Sequence, residues 1–380
     1  MSGANARLMK NPKKIAIVYD WLVSWGGGER VLRHVFNLYP RSTIHVLVSD
    51  PGMIQGTEFQ KARIINSRLQ YFPLARRYYR QYLAFYPWAV QGFDLSGYDL
   101  ILSISHAAAK GVRVCPGQTH LCYCFTPMRY AWDLRDQYMS SLDPVRRTVA
   151  GLILNHLKSW DFESSKRVSA FAGISHFISN RIYRAYDRQA RIIYPGVEVG
   201  RFVESAEKGK YFLTVSRFVP YKKIDLIVEA FSEMGLPLKV IGDGPERSRI
   251  LKKAGPTVEF LGALGDAEVA HFMQGARAFV FAALEDFGIA PVEALACGTP
   301  VIGFGVGGLA ETVRDGLDGV YFMEQTAPSL KSAVEKFMSM ERKFDFRVLR
   351  QRAEEFSVPR FHREFKEFVD SNIRSNPGLA

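Results

Sequence analysis

Cysteine is scarce in this sequence, and that scarcity narrows the kinds of site it can hold. The 380 residues include four cysteines: Cys115, Cys122, Cys124 and Cys297. Cys122 and Cys124 flank a tyrosine in an apolar run, so both side chains point to one face of a predicted strand. Further Cys or His partners at the spacing of a metal site are missing. We therefore expect buried free thiols in a reducing cytosol.

Long apolar runs are also missing. No run approaches the ~18–20 residues that a membrane-spanning helix requires. The early run Ile15–Val18 is too short for the core of a signal peptide and is soon followed by Asp20, so export is not expected. A hydrophobic content of 47% is typical of a globular protein, and the length suits two domains.

Acidic residues are depleted in one half of the chain only. Residues 1–195 hold 26 Lys and Arg against 12 Asp and Glu, a net charge of +14, while the remainder holds 24 against 26, a net charge of −2. The basic excess predicts an anionic partner for the N-terminal half. Nucleic acid, a membrane surface and a phosphorylated substrate all meet that description.

The segment from Lys61 to Phe93 contains no acidic residue at all. From residue 75 onward a helix would separate tyrosines from arginines, and basic residues with interfacial aromatics suit a helix lying on an anionic membrane. The predicted membrane contacts are Arg76, Arg77, Arg80, Tyr78, Tyr79 and Tyr82. Two alternatives stay open: a core-packing helix with a solvated basic face, and binding of single-stranded nucleic acid.

Strands and helices alternate throughout the chain, which predicts an α/β protein with parallel, doubly wound sheets. In the N-terminal half, strands are predicted at 14–19, 42–49, 98–105, 118–125, 170–175 and 191–194. In the C-terminal half they are predicted at 211–216, 238–241, 258–261, 278–281 and 301–304. A Pro-Gly at 195–196 suggests a linker. We predict domains at 1–196 and 197–357, with a terminal helix at 358–380 packing back on the first.

Glycines and cations follow several predicted strand ends, where α/β sheets bind ligands. Gly26, Gly27 and Gly28 join the first strand to a helix and would let backbone approach a phosphate, although the spacing matches neither a Walker loop nor a dinucleotide fingerprint. In the second half, Arg217 and Lys222 precede a helix, and two cations on such a loop can neutralise a diphosphate.

The stretch from Glu285 to Gly308 is the most informative in the chain. Glu285 stands at the end of a predicted strand, and Glu293 lies in the following helix. Between them, the amides of residues 287–289 open that helix, where an anion is favoured. Two acids beside an anion site could hold hydroxyl groups, although capping acids in an ordinary strand–loop–helix are the structural alternative.

These motifs, in this order, resemble glycosyltransferase family 4, retaining enzymes of the GT-B fold. The runs YDWLVSWGGGERVL and CYCFTPMRYAWD look most like bacterial mannosyltransferases of O-antigen and exopolysaccharide synthesis. The resemblance implies two Rossmann-like domains facing a cleft, with Glu285 contacting the donor sugar, Glu293 the ribose, and Arg217 and Lys222 the diphosphate. The other donor-binding residues implied are Gly26, Gly27, Gly28, Gly242, Leu261, Phe287, Gly288, Ile289 and Ala290.

The chain departs from the family at Phe125, where relatives commonly carry a His that contacts the donor sugar. His106, at the end of an adjacent predicted strand, could supply an imidazole, or could be structural. The catalytic residues predicted are therefore Glu285, Arg217, Lys222 and His106.

The resemblance further implies a hexosyltransferase moving mannose from GDP-mannose to a polyprenyl-diphosphate-linked saccharide, at the inner face of the cell membrane. The chain has no Asp-x-Asp, the spacing by which metal-dependent glycosyltransferases hold a diphosphate, so no metal and no cofactor is expected. The alternatives are UDP-glucose or UDP-N-acetylglucosamine as donor, a non-catalytic sugar-nucleotide-binding protein at a membrane, and a basic nucleic-acid binder.

Overall fold

The computed structural model describes residues 14–133, 135, 139 and 143–374. The chain divides into two compact units: one runs to Ile193 and resumes at His362, and Tyr194–Phe361 forms the other. The predicted boundary, between 196 and 197, lies three residues further on. The end of the predicted terminal helix, 375–380, falls outside the described residues.

The first unit is built on a parallel sheet of seven strands in the order β3-β2-β1-β4-β5-β6-β7. The strands are β1 (Ile15–Leu22), β2 (Thr43–Ser49), β3 (Arg63–Asn66), β4 (Leu100–Ser105), β5 (Thr119–Cys124), β6 (Ala170–Gly173) and β7 (Ala190–Ile192). The helices are α1 (Gly27–Leu38), α2 (Pro51–Ile54), α3 (Ala75–Tyr78), α4 (Tyr86–Gln91), α5 (Pro144–Ser165) and α6 (His176–Tyr186). The central strands are buried on both faces, which explains their nearly continuous apolar sequence.

The second unit holds a parallel sheet of six strands in the order β10-β9-β8-β11-β12-β13. The strands are β8 (Phe212–Val215), β9 (Leu238–Ile241), β10 (Val258–Gly262), β11 (Phe279–Phe281), β12 (Val301–Phe304) and β13 (Gly319–Phe322). The helices that follow residue 223 are α7 (Ile224–Met234), α8 (Arg247–Leu251), α9 (Asp266–Gly275), α10 (Ile289–Ala296), α11 (Leu309–Thr312), α12 (Ala327–Met340), α13 (Phe346–Glu354) and α14 (Val358–Arg374), the last of which runs into the first unit. Short 3₁₀ helices lie at Glu58–Lys61, Arg68–Tyr71, Tyr79–Phe85, Ala109–Gly111, Val199–Arg201, Pro220–Lys222 and Glu341–Lys343.

The predicted α/β class with two parallel sheets is confirmed. Several elements have the predicted bounds, among them α7, β9 and β12. Two strands were not predicted, β3 and β13. Each has four residues, and β3 is partly exposed inside the basic segment, so neither produces a clear hydrophobic period.

Within the segment from Lys61 to Phe93, the structure corrects the prediction of one amphipathic helix from residue 75 onward. That part forms α3, the 3₁₀ helix Tyr79–Phe85 and α4, and β3 with a further 3₁₀ helix precedes it. Leu74 takes a left-handed backbone conformation, with φ of 49°, and Tyr82 is non-helical. Pro73 favours extended backbone at Phe72, the residue before it, whereas Pro87 stands in the first turn of α4, where proline is tolerated.

Three of the cysteines, Cys122, Cys124 and Cys297, are buried and free, as expected. Cys115 is free but exposed, so the expectation of burial is wrong for it. It lies in the loop between the 3₁₀ helix Ala109–Gly111 and β5, beyond the cover of the sheet.

Candidate active site

The predicted donor-binding residues of the second unit gather along one edge of its sheet. Arg217 and Lys222 follow β8, Gly242 follows β9, Leu261 lies at the end of β10, and Glu285 follows β11. All six strands are parallel, so their carboxyl ends share an edge. The strand order reverses between β8 and β11, and such a reversal is where open α/β sheets hold their ligands.

Lys222 and Glu285 meet directly at this reversal. The Nζ atom of Lys222 donates to Oε1 of Glu285, and both side chains are about one-fifth exposed. The backbone of Glu285 is held as well, because its carbonyl accepts the amide of Gly308 at 2.8 Å. The backbone that carries the Glu285 carboxylate is therefore held in place, and the carboxylate has a cationic neighbour at the sheet edge.

Gly288 caps α10, and its φ of 91° is the left-handed conformation that glycine permits. The side chain of Phe287 is buried, 5.8 Å from Tyr194 and 5.6 Å from Phe356 between ring centroids. A Cβ at Gly308 would lie 2.4 Å from the Phe287 nitrogen, so glycine is required there too. The first amides of α10, including those of Ile289 and Ala290, lack intrahelical partners and favour an anion.

Glu293 lies on α10 and is largely buried. It accepts a hydrogen bond at 3.2 Å from Arg201, whose other terminal nitrogen donates to Asp266 at 2.5 Å. Arg201 was not among the residues predicted from the sequence. It stands 92 residues from Glu293, in the short 3₁₀ helix that follows the predicted linker, and no local motif marks it.

Two glycines position the loop that carries Arg217. Gly242 has φ of 135°, and a Cβ there would lie 1.8 Å from the carbonyl oxygen of Ser216. Gly244 approaches the backbone of Phe218 in the same way. Phe218 is fully buried and anchors the loop, while Arg217 beside it is exposed. Among the described residues, no carboxylate pairs with Arg217, so its guanidinium is available for an anion.

The predicted residues of the first unit also lie together. A side chain at Gly28 would begin 2.6 Å from the hydroxyl of Tyr19 and 3.3 Å from the ring of Phe125, so glycine is required. The rings of Phe125 and His106 are 6.2 Å apart, at the ends of adjacent strands β5 and β4. Gly26 and Gly27 open α1 beside them. The glycine turn, Phe125 and His106 therefore share one edge of the first sheet.

His106 is held by a residue that sequence analysis did not assign, Asp20. The fully buried carboxylate of Asp20 accepts four consecutive backbone amides, residues 106–109, at 2.6 to 3.0 Å. The Nδ1 atom of His106 lies 3.3 Å from the same carboxylate, which favours the proton on Nδ1. The Asp20 carboxylate raises the pKa of His106, but burial of the ring lowers it by more, so the pKa of His106 lies below its ordinary value. The imidazole is therefore neutral at pH 7, with its side chain about one-quarter exposed.

Tyr19 and Glu29 complete the support of the glycine turn. The Tyr19 hydroxyl donates to Oε1 of Glu29 at 2.9 Å. Burial and the Glu29 carboxylate raise the pKa of Tyr19 well above its ordinary value, so the hydroxyl keeps its proton. Neither residue was singled out from the sequence, because their contact depends on the strand-to-helix turn between them.

The predicted membrane contacts differ in how far they are exposed. Arg76, Arg77 and Arg80 are exposed, and Tyr78 and Tyr82 are half-buried. Tyr79 is buried, with its ring 4.9 Å from that of Trp21, and its prediction as a membrane contact is wrong because the helix is broken. The exposed apolar side chains of the segment are instead Tyr71, Leu74, Phe85 and Trp88.

The described part of the chain contains neither a cluster of metal ligands nor a membrane-spanning helix. No group of three or more His, Cys, Asp or Glu side chains there is arranged to hold a metal ion. No helix there combines the length and the apolar composition needed to cross a bilayer.

Comparison with known proteins finds sequence similarity in the second unit. Residues 199–355 match the family "Glycosyl transferases group 1". A glycosyltransferase of Methanocaldococcus jannaschii, named as uncharacterized, is 32% identical over 173 residues, 44% of this chain and 49% of that protein. A D-inositol 3-phosphate glycosyltransferase of Geodermatophilus obscurus is 31% identical over 169 residues, 36% of this chain and 38% of that protein. These matches thus span half or less of the curated relatives.

Solved structures extend the similarity to both units. Sucrose-phosphate synthase from Thermosynechococcus elongatus matches with a TM-score of 0.74 at 19% identity, over 96% of this chain and all of that one. HepE of Anabaena in complex with UDP-glucose matches with a TM-score of 0.69 at 16% identity, over 94% of this chain and 99% of that one. At such identities the likeness concerns the fold, and it confirms the predicted GT-B fold. None of the relatives named here is called a mannosyltransferase, so they do not support the expected resemblance to mannosyltransferases.

Proposed function

We propose that this protein is a retaining glycosyltransferase that uses a nucleotide sugar as donor. The observation that carries the proposal is the Lys222–Glu285 pair at the reversal of a parallel sheet. The free amides of α10 and the exposed guanidinium of Arg217 belong to the same edge. A diphosphate with an attached sugar meets the requirements of this edge, because it offers an anion to the cations and hydroxyl groups to the carboxylates.

In the proposed reaction, the bond between the sugar's C1 and the diphosphate oxygen breaks through an oxocarbenium-like transition state. Arg217, Lys222 and the α10 amides stabilise the charge that develops on the diphosphate, which is the main catalytic contribution. The ammonium of Lys222 has three protons, so it can remain paired with Glu285 and still donate to a phosphate oxygen.

The acceptor hydroxyl attacks C1 from the face that the diphosphate leaves, so the configuration at C1 is retained. Its proton passes to an oxygen of the departing diphosphate. The scheme requires no protein nucleophile. Glu285 therefore positions the sugar, while Glu293, held by Arg201, binds the ribose.

We propose GDP-mannose as the donor, on the resemblance of the two N-terminal motifs to bacterial mannosyltransferases. UDP-glucose and UDP-N-acetylglucosamine are the alternatives. The complex of HepE with UDP-glucose favours testing the first of these directly. His106 beside Phe125 supplies the imidazole that relatives carry at the latter position, so donor choice is expected to depend on this pair.

The acceptor we propose is a polyprenyl-diphosphate-linked saccharide, bound by the first unit at the inner face of the cell membrane. Support comes from the basic excess of that half and from the exposed Arg76, Arg77 and Arg80. These arginines adjoin exposed apolar side chains, among them Tyr71 and Leu74. Cations beside exposed aromatics suit the surface of an anionic membrane.

The decisive experiment is a screen of the purified protein against GDP-mannose, UDP-glucose and UDP-N-acetylglucosamine, with lipid-linked acceptors and detection by mass spectrometry. Transfer of one hexose, lost in Glu285→Gln, supports the proposal. Donor binding without transfer to any acceptor supports a non-catalytic sugar-nucleotide-binding protein instead. Salt-sensitive binding of DNA or RNA without donor binding supports the nucleic-acid alternative.

A further inference from the structure

The first unit contains a cavity of about 760 Å³ whose lining includes none of the candidate active-site residues. Its walls come from β2, the edge strand β3, α4 and α5, and from the loops that precede β4 and β5. The candidate active site of this unit is built instead from the turn after β1 and the carboxyl ends of β4 and β5. The cavity is therefore a separate feature of the unit. Its volume falls within the range of small-molecule binding sites.

Three arginines line this cavity: Arg63 on β3, Arg68 after β3, and Arg113 in the loop before β5. None of the three forms an ion pair with a carboxylate in the part of the chain that the structure describes. Asp94 also lines the cavity, but its Oδ1 atom already accepts the backbone amide and the hydroxyl of Ser96. Positive charge in a concave surface concentrates the field there and attracts anions.

Aromatic rings form much of the wall between these cations. The guanidinium of Arg68 lies over the ring of Trp88, 5.9 Å from its centroid. His45 is buried, and its ring is 5.3 Å from those of Phe93 and Tyr98. Burial lowers the pKa of His45 to about 4, so this part of the wall is neutral at pH 7.

A ring nitrogen in the same wall has no hydrogen-bond partner in the described part of the chain. Nε1 of Trp160 is buried and unpaired there, whereas the ring of His45 interacts with the backbone of Thr43. Buried polar groups in folded proteins are nearly always hydrogen-bonded, so an unpaired one is uncommon. The unpaired indole nitrogen of Trp160 is therefore an unusual feature of the wall of this cavity.

We propose that this cavity binds a phosphate-bearing ligand, held by Arg63, Arg68 and Arg113. Guanidinium groups match phosphate oxygens in pairs, and the aromatic wall suits an apolar portion of the ligand. The phosphate belongs either to a lipid headgroup or to a free phosphorylated small molecule. Trp88 lines the cavity and is also exposed at the protein surface, so the cavity can be reached by either kind of ligand. The site is independent of the proposed glycosyl transfer.

The test is calorimetric titration with two probes, inorganic pyrophosphate and dihexanoyl phosphatidic acid below its micellar concentration. All proteins titrated carry Arg217→Gln and Lys222→Met, so that binding at the proposed donor site does not contribute. We expect Arg63→Gln with Arg113→Gln to weaken binding at least tenfold. Arg184→Gln, at an exposed arginine outside the cavity, is the matched control and is expected to change nothing.

Tighter binding of phosphatidic acid than of pyrophosphate assigns the site to a lipid headgroup, and the opposite order assigns it to a free phosphate compound. Equal affinities before and after the double substitution overturn the proposal, as does failure of both probes to bind. Circular dichroism and the melting temperature check that each variant is folded. Because the readout is binding in the first unit, it does not depend on whether glycosyl transfer is found.

Discussion

The ammonium group of Lys222 is paired with the carboxylate of Glu285, although 63 residues separate them in the chain. The contact joins the loops that follow β8 and β11, which are neighbours in the sheet but not in sequence. It brings a cation and a carboxylate to the reversal of strand order. The roles proposed for both residues depend on this contact, and substitution of either residue tests them.

Replacing Glu285 by Gln is expected to lower kcat by about 10²–10³-fold, because a preorganised electrostatic contact to the reacting sugar is lost. Steady-state kinetics with the donor found in the screen measure the effect. The matched control is Glu259→Gln, which removes the carboxylate of another Lys–Glu pair of the same unit, formed with Lys239. A Glu285→Gln enzyme with a rate within twofold of the wild type contradicts the assignment.

Arg201 is expected to act through Glu293. Arg201→Gln removes the hydrogen bond that orients the carboxylate, so the KM for the donor should rise about tenfold, a loss of about 1.4 kcal/mol, with kcat little changed. Titration with the free nucleoside diphosphate measures the same loss directly. Asp266→Asn keeps the Arg201–Glu293 bond and serves as the control. An equal effect of both substitutions contradicts a specific role for Glu293.

The positions of His106 and Phe125 permit an exchange experiment. His106→Phe should reduce transfer by at least tenfold, and adding Phe125→His should restore part of the activity, because the two rings are neighbours at 6.2 Å. Since the pKa of His106 is lowered by burial, the wild-type rate should not respond to its titration between pH 7 and 8. Full activity in the His106→Phe variant would show that His106 has a structural role and no role in transfer.

Membrane contact through the segment from Lys61 to Phe93 is tested by flotation with anionic liposomes. Changing Arg76, Arg77 and Arg80 to Glu should abolish flotation, because attraction becomes repulsion at the surface. Leu74→Ser with Trp88→Ser should weaken it less, through lost apolar insertion. Tyr79→Phe keeps the buried ring and is the control. Undiminished flotation of the triple variant rejects membrane contact by this segment.

Acid should destabilise the first unit through His120, which is fully buried and bonded to Ser103. Burial lowers its pKa to about 3 in the fold, against about 6.5 in the unfolded chain. Between these values the unfolded chain binds the proton and the folded one does not. Stability therefore falls with decreasing pH, by about 1.4 kcal/mol per pH unit for this one residue.

Urea denaturation at pH 7, 6 and 5 measures that slope. In His120→Asn the slope should be smaller, whatever the variant's overall stability, because one titrating group is removed. Equal slopes in the wild type and His120→Asn contradict a neutral buried His120.

Much of the fold was predictable because it depends on local rules. Apolar runs of four to six residues between amphipathic helices predict parallel strands, and α7, β9 and β12 have the predicted bounds. The segment from Lys61 to Phe93 was not predictable in detail. From residue 75 its periodicity favours one helix, but the backbone is non-helical at Tyr82, and Tyr79 packs on Trp21 instead.

The sequence by itself determined which groups stand at each strand end, since Glu285, Arg217, Lys222 and the glycines are recognisable from spacing and residue type. Only the tertiary structure decided their partners. Glu285 meets Lys222 and His106 meets Asp20 because parallel strands distant in sequence end at one edge, whereas Glu293 on α10 meets Arg201 of a 3₁₀ helix. Spacing along the chain contains no information on such contacts. That is why Arg201 and Asp20 appear only in the folded protein.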